Sequence, residues 1–344
     1  MSQGINRRIL LASRPVGAPQ ASDFAMDEAP IAAPGEDEVL LRTIYLSLDP
    51  YMRGRMNATK SYAPSVEIGE VMVGGAVSEV MTSNAGGYRS GDIVFGYTGW
   101  QDHPVAPAEG LRKLDPARAP MSTALGVLGM PGMTAYTGLL NIGKPREGET
   151  VAVAAASGAV GSIVGQIARI KGCRAVGIAG TAEKCDYLTA ELGFDAALNH
   201  RADGFAEALA EACPDGIDVY FENVGGHVFQ AILPLLNEFA RIPVCGLIAH
   251  YNATEPPPGP DHLPVLMGHV LRRRFTVRGF IVWDFADQEH EFLDAVGGWI
   301  DDGRIKYRED VVDGLENAPG ALIGLLEGKN FGKLVVRVGP EPTA

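Results

Sequence analysis

The sequence at 151–165 reads Val151-Ala-Val-Ala-Ala-Ala-Ser157-Gly158-Ala-Val-Gly161-Ser-Ile-Val-Gly165, in which an apolar strand ends in small residues and leads directly into a helix. Gly158 permits the turn, and Gly161 permits close approach of the backbone to a ligand or a neighbouring strand. The following helix offers unpaired N–H groups and its positive dipole end to a phosphate. This pattern predicts a loop that binds a dinucleotide pyrophosphate. Because Ala156 replaces the first glycine of G-x-G-x-x-G, a tight turn between packed elements is the alternative.

Strands and helices alternate on both sides of this stretch. Further apolar strands are expected at 174–179, 196–199, 219–222, 240–244 and 276–282, with helices at 162–171, 183–192 and 205–213. This order predicts a doubly wound parallel sheet of the Rossmann type with right-handed crossovers. The Pro-rich loop at 255–260 follows one of these strands, where it could cover a ligand bound at the strand ends.

The first part of the chain has a different pattern. Strands are expected at 39–48, 71–80 and 92–97, separated by Gly and Pro turns, which indicates a compact β domain. A strand at 332–338 is expected to return to that domain and make it discontinuous.

The segment after the second strand indicates the type of dinucleotide. An NAD-selective site usually places Asp or Glu about 20 residues beyond the first glycine, where the carboxylate binds the ribose 2′-hydroxyl. Here the stretch is Ile178-Ala179-Gly180-Thr181, which has no carboxylate to repel a 2′-phosphate. Lys184 can supply positive charge, and His200 and Arg201 come after the third strand, where they can flank the same phosphate. The sequence therefore favours NADP(H), with a solvated surface role as the alternative for Lys184.

Composition excludes several classes of partner. The chain has 344 residues, 46% of them hydrophobic, and a formal net charge of −13, which argues against a nucleic-acid or anionic-membrane surface. The N-terminal apolar stretch is too short for a signal peptide, and no run is long enough to span a bilayer. The four cysteines are widely spaced, so a disulfide framework is not indicated and a cytoplasmic protein is expected.

Five motifs carry a resemblance to a known family. They are Leu46-Ser-Leu-Asp-Pro-Tyr-Met-Arg53, Gly129-Met-Pro-Gly-Met-Thr-Ala-Tyr136, the stretch at 155–165, Glu222-Asn-Val-Gly-Gly226 and Asn330-Phe-Gly-Lys333. Together they resemble the zinc-free medium-chain dehydrogenase/reductases, most of all prostaglandin reductases, plant alkenal double-bond reductases and bacterial curcumin reductases. The resemblance implies a GroES-like substrate and catalytic domain formed by residues 1–127 with 302–344. It also implies a Rossmann NADP-binding domain at 128–301.

The residues themselves argue against a zinc site. The first 172 residues contain no Cys and one His, His103, and neither G-H-E nor H-E-x-x-H occurs in the chain. Without thiolates or several imidazoles a tetrahedral zinc site is not expected, so a substrate carbonyl would be polarised by hydrogen-bond donors. The G-x-S-x-G nucleophile elbow of serine hydrolases is missing, and so is the Tyr-x-x-x-Lys pair of short-chain dehydrogenases, which argues against both of these enzyme classes.

Tyr251 is the catalytic candidate, because it follows the strand at 240–244 at the end that faces the ligand crevice. The resemblance places a tyrosine of an I-S-x-Y-N segment near the nicotinamide. Here Ala249-His250 departs from the version of the segment that contains Ser. The alternative role for Tyr251 is a tyrosine that anchors its own turn. By resemblance, Tyr51, Arg53 and Met130 contact substrate, although Arg53 could instead bind Asp49 or backbone carbonyls. Candidate cofactor-binding residues are Thr134, Ser157, Gly158, Ala159, Val160, Gly161, Gly180, Thr181, Lys184, His200, Asn223, Cys245, Tyr251, Phe280, Val282 and Asn330, and no residue is assigned to a metal.

The resemblance and these residues predict NADPH-dependent, zinc-independent reduction of the C=C bond of α,β-unsaturated ketones and aldehydes. A quinone or carbonyl reductase of the same superfamily and a noncatalytic NADPH-binding protein are the alternatives. A small-molecule enone is the expected partner, and a homodimer is expected, with the strand at 276–282 as its candidate edge.

Overall fold

The computed structural model describes residues 4–256 and 259–342, so Pro257 and Pro258 of the predicted covering loop lie outside the described residues. The strands are β1 (Ile5–Leu11), β2 (Phe24–Pro30), β3 (Glu38–Ser47), β4 (Ala76–Ser83), β5 (Ile93–Gly96), β6 (Val105–Pro107), β7 (Arg112–Leu114), β8 (Thr150–Ala154), β9 (Arg174–Ala179), β10 (Ala196–Asn199), β11 (Ile217–Phe221), β12 (Leu236–Val244), β13 (Thr276–Gly279), β14 (Glu309–Asp313) and β15 (Lys333–Arg337). The α-helices are α1 (Tyr51–Arg55), α2 (Met130–Thr137), α3 (Gly161–Ile170), α4 (Ala182–Ala190), α5 (Phe205–Ala212), α6 (Gly226–Ile232), α7 (Leu263–Arg273), α8 (Glu289–Asp301) and α9 (Ala318–Leu326). Short 3-10 helices include Ile248–His250 and Val282–Gln288, and a π-helix spans Gly138–Gly143.

The described chain divides into two compact units. The first comprises residues up to Gly126, Glu309–Asn330 and the segment from Leu334 onward, and the second comprises Val127–Arg308 with Phe331–Lys333. The assignment of the first unit to substrate binding and of the second to cofactor binding stays a prediction.

The first unit is built on a sheet with the strand order β14-β15-β3-β4-β5-β7, and β6 also pairs with β3. The pairs β15–β3, β3–β4, β4–β5 and β5–β7 are antiparallel. Strands β1 and β2 form a separate antiparallel pair. Since β15 pairs with β3, the end of the chain completes the sheet formed by its beginning.

The second unit is a parallel sheet with the order β10-β9-β8-β11-β12-β13. From β8 the strand order runs outward in one direction to β9 and β10 and in the other to β11, β12 and β13. Ligands are expected at the carboxyl ends of β8 and β11, where the order changes direction. Helix α3 packs on the sheet with Ile163, Val164 and Ile167 buried, each contributing roughly 1.5–3 kcal/mol to folding. An added Cβ at Gly165 would lie 1.9 Å from Phe194 Cζ, so this glycine allows the helix to pack on that ring.

The predicted Rossmann sheet and separate β domain are confirmed, and β9 and β10 have the predicted bounds. The other strands differ from their predicted bounds by one to five residues, and three of the larger differences have a physical reason. Strand β12 begins at Leu236, four residues before the predicted start. Polar residues and Phe239, with a φ of 62°, interrupt the apolar pattern in its first half, so the sequence did not show that half as a strand. Strand β13 ends at Gly279 because Phe280 turns into the core. Strand β4 begins at Ala76 because Val71 instead forms an isolated bridge with Leu10.

Candidate functional site

The glycine loop follows β8 in a tight turn, in which two glycines lie too close to neighbouring backbone atoms to carry an unstrained side chain. Ala155 has a φ of 50°, and an added Cβ at Gly161 would lie 2.4 Å from the Ala155 carbonyl oxygen. At Gly158 the same added atom would be 3.2 Å from that oxygen. Ser157 is buried, while Ala159 and Val160 are half-buried. The close backbone approach at both glycines and the N-terminus of α3 fit a pyrophosphate held by backbone N–H groups.

The motif at 330–333 also reaches this loop. Gly332 forms an isolated parallel bridge with Gly158, and its φ of 87° is open to glycine. A Cβ at Gly332 would lie 2.2 Å from the Arg308 carbonyl oxygen, and the Arg308 guanidinium carbon lies 3.9 Å from the centre of the Phe331 ring. Asn330 precedes Gly332 by two residues, and its assignment to the cofactor stays a prediction.

Polar and basic groups gather at the ends of β9 and β10. An added Cβ at Gly180 would lie 3.4 Å from His200 Nε2 and 3.5 Å from Arg201 Nε, so both side chains lie beside this glycine. Thr181 is the N-cap of α4, and its hydroxyl accepts the Lys184 backbone N–H at 3.2 Å. Lys184 therefore lies in the first turn of α4, where helix N–H groups and its own charge favour an anion.

The strand ends at the reversal point are tied together by backbone and amide groups. Asn223 Nδ2 donates to the Ala154 carbonyl at 2.8 Å, and the Asn223 carbonyl accepts from the Ile248 N–H at 3.2 Å. Asn223 thus joins the end of β8 to the loop that carries Tyr251. Cys245, also assigned to the cofactor, donates its backbone N–H to the Glu222 carbonyl at 2.9 Å.

Tyr251 lies at the end of the 3-10 turn Ile248–His250. An added Cβ at Gly246 would be 3.1 Å from the Tyr251 hydroxyl, and that hydroxyl accepts the Leu247 N–H at 3.4 Å. The latter bond uses a lone pair of the hydroxyl oxygen and does not involve the hydroxyl proton. The hydroxyl therefore lies beside Gly246, just beyond the carboxyl end of β12.

Four other predicted residues of the second unit belong to its helix and core packing. The Thr134 hydroxyl donates to the Met130 carbonyl at 2.7 Å within α2. Phe280 is buried and packs edge-on against Phe221, with ring centroids 6.2 Å apart, and Val282 is half-buried at the start of a 3-10 helix. The roles of these residues toward a ligand stay predictions.

Tyr51 and Arg53 occupy α1 in the first unit. Burial, with Asp49 nearby, raises the pKa of Tyr51 well above its ordinary value, so the phenol is neutral at physiological pH. Arg53 is 3% exposed and its guanidinium donates to the Gly17 carbonyl at 2.8 Å and to Asn57 Oδ1 at 2.6 Å. The bond to the Gly17 carbonyl matches the alternative in which Arg53 binds backbone carbonyls, and it gives Arg53 a role in holding α1. Contact of Tyr51 or Arg53 with substrate stays a prediction.

Glu222 and His227 are polar residues whose roles were not predicted. Glu222 is 2% exposed, and its Oε1 accepts from Val224 N at 2.6 Å, Gly225 N at 2.8 Å and the Tyr220 hydroxyl at 3.0 Å. Burial raises the pKa of Glu222 despite these bonds. A carboxylate directly after a buried strand is the sequence signal that could have identified it, whereas the contact of His227 with His200 spans 27 positions and has no local signal.

A metal centre in the described part of the chain would need thiols, imidazoles or acidic groups close together. Across residues 4–256 and 259–342, no group of three or more His, Cys, Asp or Glu side chains is arranged to hold a metal ion. Burial raises the pKa of Cys173 and Cys213 to about 11 and that of Cys245 to about 12, so these thiols are protonated at neutral pH. Within the same ranges, no helix is both long enough and apolar enough to cross a membrane.

Comparison with known proteins places this geometry in a family. Residues 7–114 match a model described as the N-terminal domain of oxidoreductase, and residues 159–297 match one described as zinc-binding dehydrogenase. The chain is 60% identical over 334 residues to NADPH-dependent curcumin reductase of Escherichia coli, with 97% of each chain covered. The chain belongs to the NADP-dependent medium-chain dehydrogenase/reductases. The predicted family is thereby confirmed.

Other members of this medium-chain family agree over the whole chain. The NADP-dependent 2-alkenal reductase of Nicotiana tabacum is 41% identical over 342 residues, covering 98% of each chain. A crystal structure of CurA from Vibrio vulnificus in complex with NADPH is 55% identical and has a TM-score of 0.94, covering 97% of this chain and all of that one. These matches cover both compact units, so both units belong to the family fold.

Proposed function

We propose that this medium-chain reductase uses NADPH to reduce the C=C bond of α,β-unsaturated ketones and aldehydes without zinc. The observation that carries the proposal is the position of the Tyr251 hydroxyl beside Gly246, at the carboxyl end of β12. Asn223 and the glycine loop meet at the adjoining ends of β8 and β11. The names of the relatives, a curcumin reductase and an alkenal reductase, support the same substrate class.

The glycine loop would hold the dinucleotide pyrophosphate, and Gly180, Lys184, His200 and Arg201 would hold its ribose phosphate. When bound, the reduced nicotinamide supplies a hydride to the electron-poor β-carbon of the substrate. Tyr251 donates a hydrogen bond to the carbonyl oxygen as negative charge builds there, and a proton from this phenol or from water then bonds to the α-carbon of the enolate to give the saturated product. Since a phenol has a reference pKa of about 10, it remains a donor at neutral pH. Asn223 holds the loop after β12 next to the end of β8 through its bonds to Ala154 and Ile248.

Product analysis tests this function. The purified protein is incubated with a panel of enones, enals and quinones and either NADPH or NADH, with and without a metal chelator. We expect a saturated ketone or aldehyde, faster turnover with NADPH, and the same rate with the chelator. An allylic alcohol or a hydroquinone would support a carbonyl or quinone reductase, and an unoxidised cofactor with every acceptor would support a noncatalytic protein.

Lys184→Ala should weaken the binding of NADPH on the order of tenfold and leave that of NADH nearly unchanged, because a charged hydrogen bond to phosphate is lost. The fluorescence of the reduced nicotinamide measures both dissociation constants. Lys171→Ala is the matched control. Lys171 is the C-cap of α3, at the end of that helix away from the glycine loop, and its ammonium lies 6.0 Å from the Trp299 ring centre. An equal loss for both dinucleotides would contradict the assignment of Lys184 to the 2′-phosphate.

We also infer a homodimer that forms through β13 and α7. β13 is the edge strand of the parallel sheet and is exposed along its length, and Leu271 of α7 is 78% exposed. An uncovered edge beside apolar side chains favours pairing with a second copy. Light scattering should give about twice the 36.4 kDa of one chain.

Val277→Lys should shift the mass toward a monomer because it places charge on the edge strand. Val311→Lys, on β14 of the first unit, is the matched control and should remain dimeric. A wild-type mass of one chain at all concentrations would contradict this inference.

The cysteines support a cytoplasmic location, which we propose as well. All four are free, and three of them are buried: Cys173, Cys185 and Cys213. Free thiols are maintained in reducing compartments.

A further inference from the structure

The His200 ring lies between Gly180 and a second histidine. His200 Nε2 would lie 3.4 Å from an added Cβ at Gly180, and His200 Nδ1 lies 3.1 Å from His227 Nε2. The two rings also pack against Phe205, with centroid distances of 6.5 Å and 6.4 Å. One nitrogen of His200 therefore borders the proposed phosphate site, and the other contacts α6.

The backbone of His200 determines which nitrogen carries hydrogen. His227 Nε2 lies 3.3 Å from the His200 carbonyl oxygen as well as 3.1 Å from His200 Nδ1. A carbonyl oxygen only accepts hydrogen bonds, so His227 Nε2 must be the protonated nitrogen for this contact to be favourable. His200 Nδ1 then faces an N–H group and must be the acceptor. A neutral His200 consequently carries its hydrogen on Nε2, the nitrogen beside Gly180.

We propose that His227 is a positioning residue that fixes the Nε2–H tautomer of His200, so that His200 presents a neutral donor to the ribose phosphate of the dinucleotide. The ligand part of this inference rests on the proposed use of NADPH, because the end of the second strand of such a sheet is where the adenosine ribose binds. The tautomer itself does not depend on that function.

The charged surroundings of His200 agree with a neutral ring. Burial, His227 on α6 and Arg201 on the same loop lower the pKa of His200 to about 4. Lys184 on α4 adds a further positive group at the neighbouring strand end. Protonation of His200 Nδ1 would also place two N–H groups against each other. The ring is therefore neutral above pH 5, and its donor to the phosphate persists through the physiological range.

Nuclear magnetic resonance of 15N-labelled protein tests the tautomer without any ligand. Long-range 1H–15N spectra should show His200 in the Nε2–H form with a pKa well below 6.5. His227→Gln keeps an amide N–H that can donate to Nδ1 and should retain this form. His227→Phe removes the donor and should raise the pKa of His200 toward its ordinary value. An Nδ1–H tautomer, or a pKa near 6.5 in the wild type, would overturn the proposal.

Binding measurements test the ligand part separately. Dissociation constants for NADPH are compared at pH 5.5 and pH 8, and dividing each variant's value by that of the wild type removes the titration of the phosphate itself. With His227→Phe, a larger share of His200 becomes cationic as the pH falls, although burial still holds its pKa down, so the ratio should be about twofold lower at pH 5.5 than at pH 8. His227→Gln should give a constant ratio. If the tautomer is as proposed but the His227→Phe ratio is constant too, the positioning of His200 toward phosphate is wrong; if NADPH does not bind the wild type, the proposed function fails instead.

Discussion

Tyr251→Phe is expected to lower kcat for enone reduction about a hundredfold, while the dissociation constant of NADPH stays within about twofold. Removal of one donor to a developing oxyanion costs roughly 3 kcal/mol in the transition state. The phenyl ring can still occupy the space beside Gly246, so the loop keeps its shape. Single-turnover measurements of nicotinamide oxidation with saturating NADPH give the rate of the chemical step directly.

A second tyrosine controls for the loss of a hydroxyl group as such. The Tyr136 hydroxyl donates to Glu291 at 2.7 Å within the same unit, so Tyr136→Phe removes a structural hydrogen bond. This change should reduce the free energy of unfolding by about 1 kcal/mol and leave kcat nearly unchanged. An unchanged chemical step in Tyr251→Phe would assign Tyr251 to anchoring its own turn through Leu247.

Gly161→Ala is expected to raise the dissociation constant of NADPH by at least about a hundredfold. The new methyl would lie 2.4 Å from the Ala155 carbonyl oxygen and 2.8 Å from Ala156 Cα, so the loop must move. The movement misplaces several N–H groups that would bind the pyrophosphate, and each such charged bond contributes about 1.5–3 kcal/mol. Overpacking also lowers the free energy of unfolding by about 1–3 kcal/mol.

Gly297→Ala is the matched control for this substitution. Nothing lies within 4 Å of an added Cβ at Gly297, which is in α8, so alanine should stabilise the protein by about 0.5–1 kcal/mol. Thermal unfolding and fluorescence titration measure the two effects. Normal NADPH affinity in a folded Gly161→Ala variant would contradict the role of the loop.

The parallel sheet could be predicted because its strands are continuous apolar runs and its glycine loop is local in sequence. Arg174–Ala179 is an example, since five of its six residues are buried and the pattern alone marks both ends. The first half of β12 could not be predicted this way, because Asn237, Glu238 and the positive φ of Phe239 interrupt the pattern. Only Leu236 of this half pairs with β11, opposite Ile217, and the register shifts before Arg241 pairs with Val219.

The candidate site could be predicted only as far as it is built from single motifs. Gly158 and Gly161 were identified by spacing, and the structure gives the close approach that requires them. The fixed tautomer of His200 depends on His227, which another strand and helix bring to within 3.1 Å. The bonds of Arg53 to Gly17 likewise join segments 36 positions apart. Such contacts follow from the tertiary fold and leave no spacing to recognise.

Transfer of deuterium tests the central claim most directly. The protein is incubated with an α,β-unsaturated ketone and NADPH deuterated at the transferring position of the nicotinamide, and the product is examined by nuclear magnetic resonance. The proposed mechanism predicts a saturated ketone with deuterium on the β-carbon. Deuterium on the former carbonyl carbon of an allylic alcohol would contradict it.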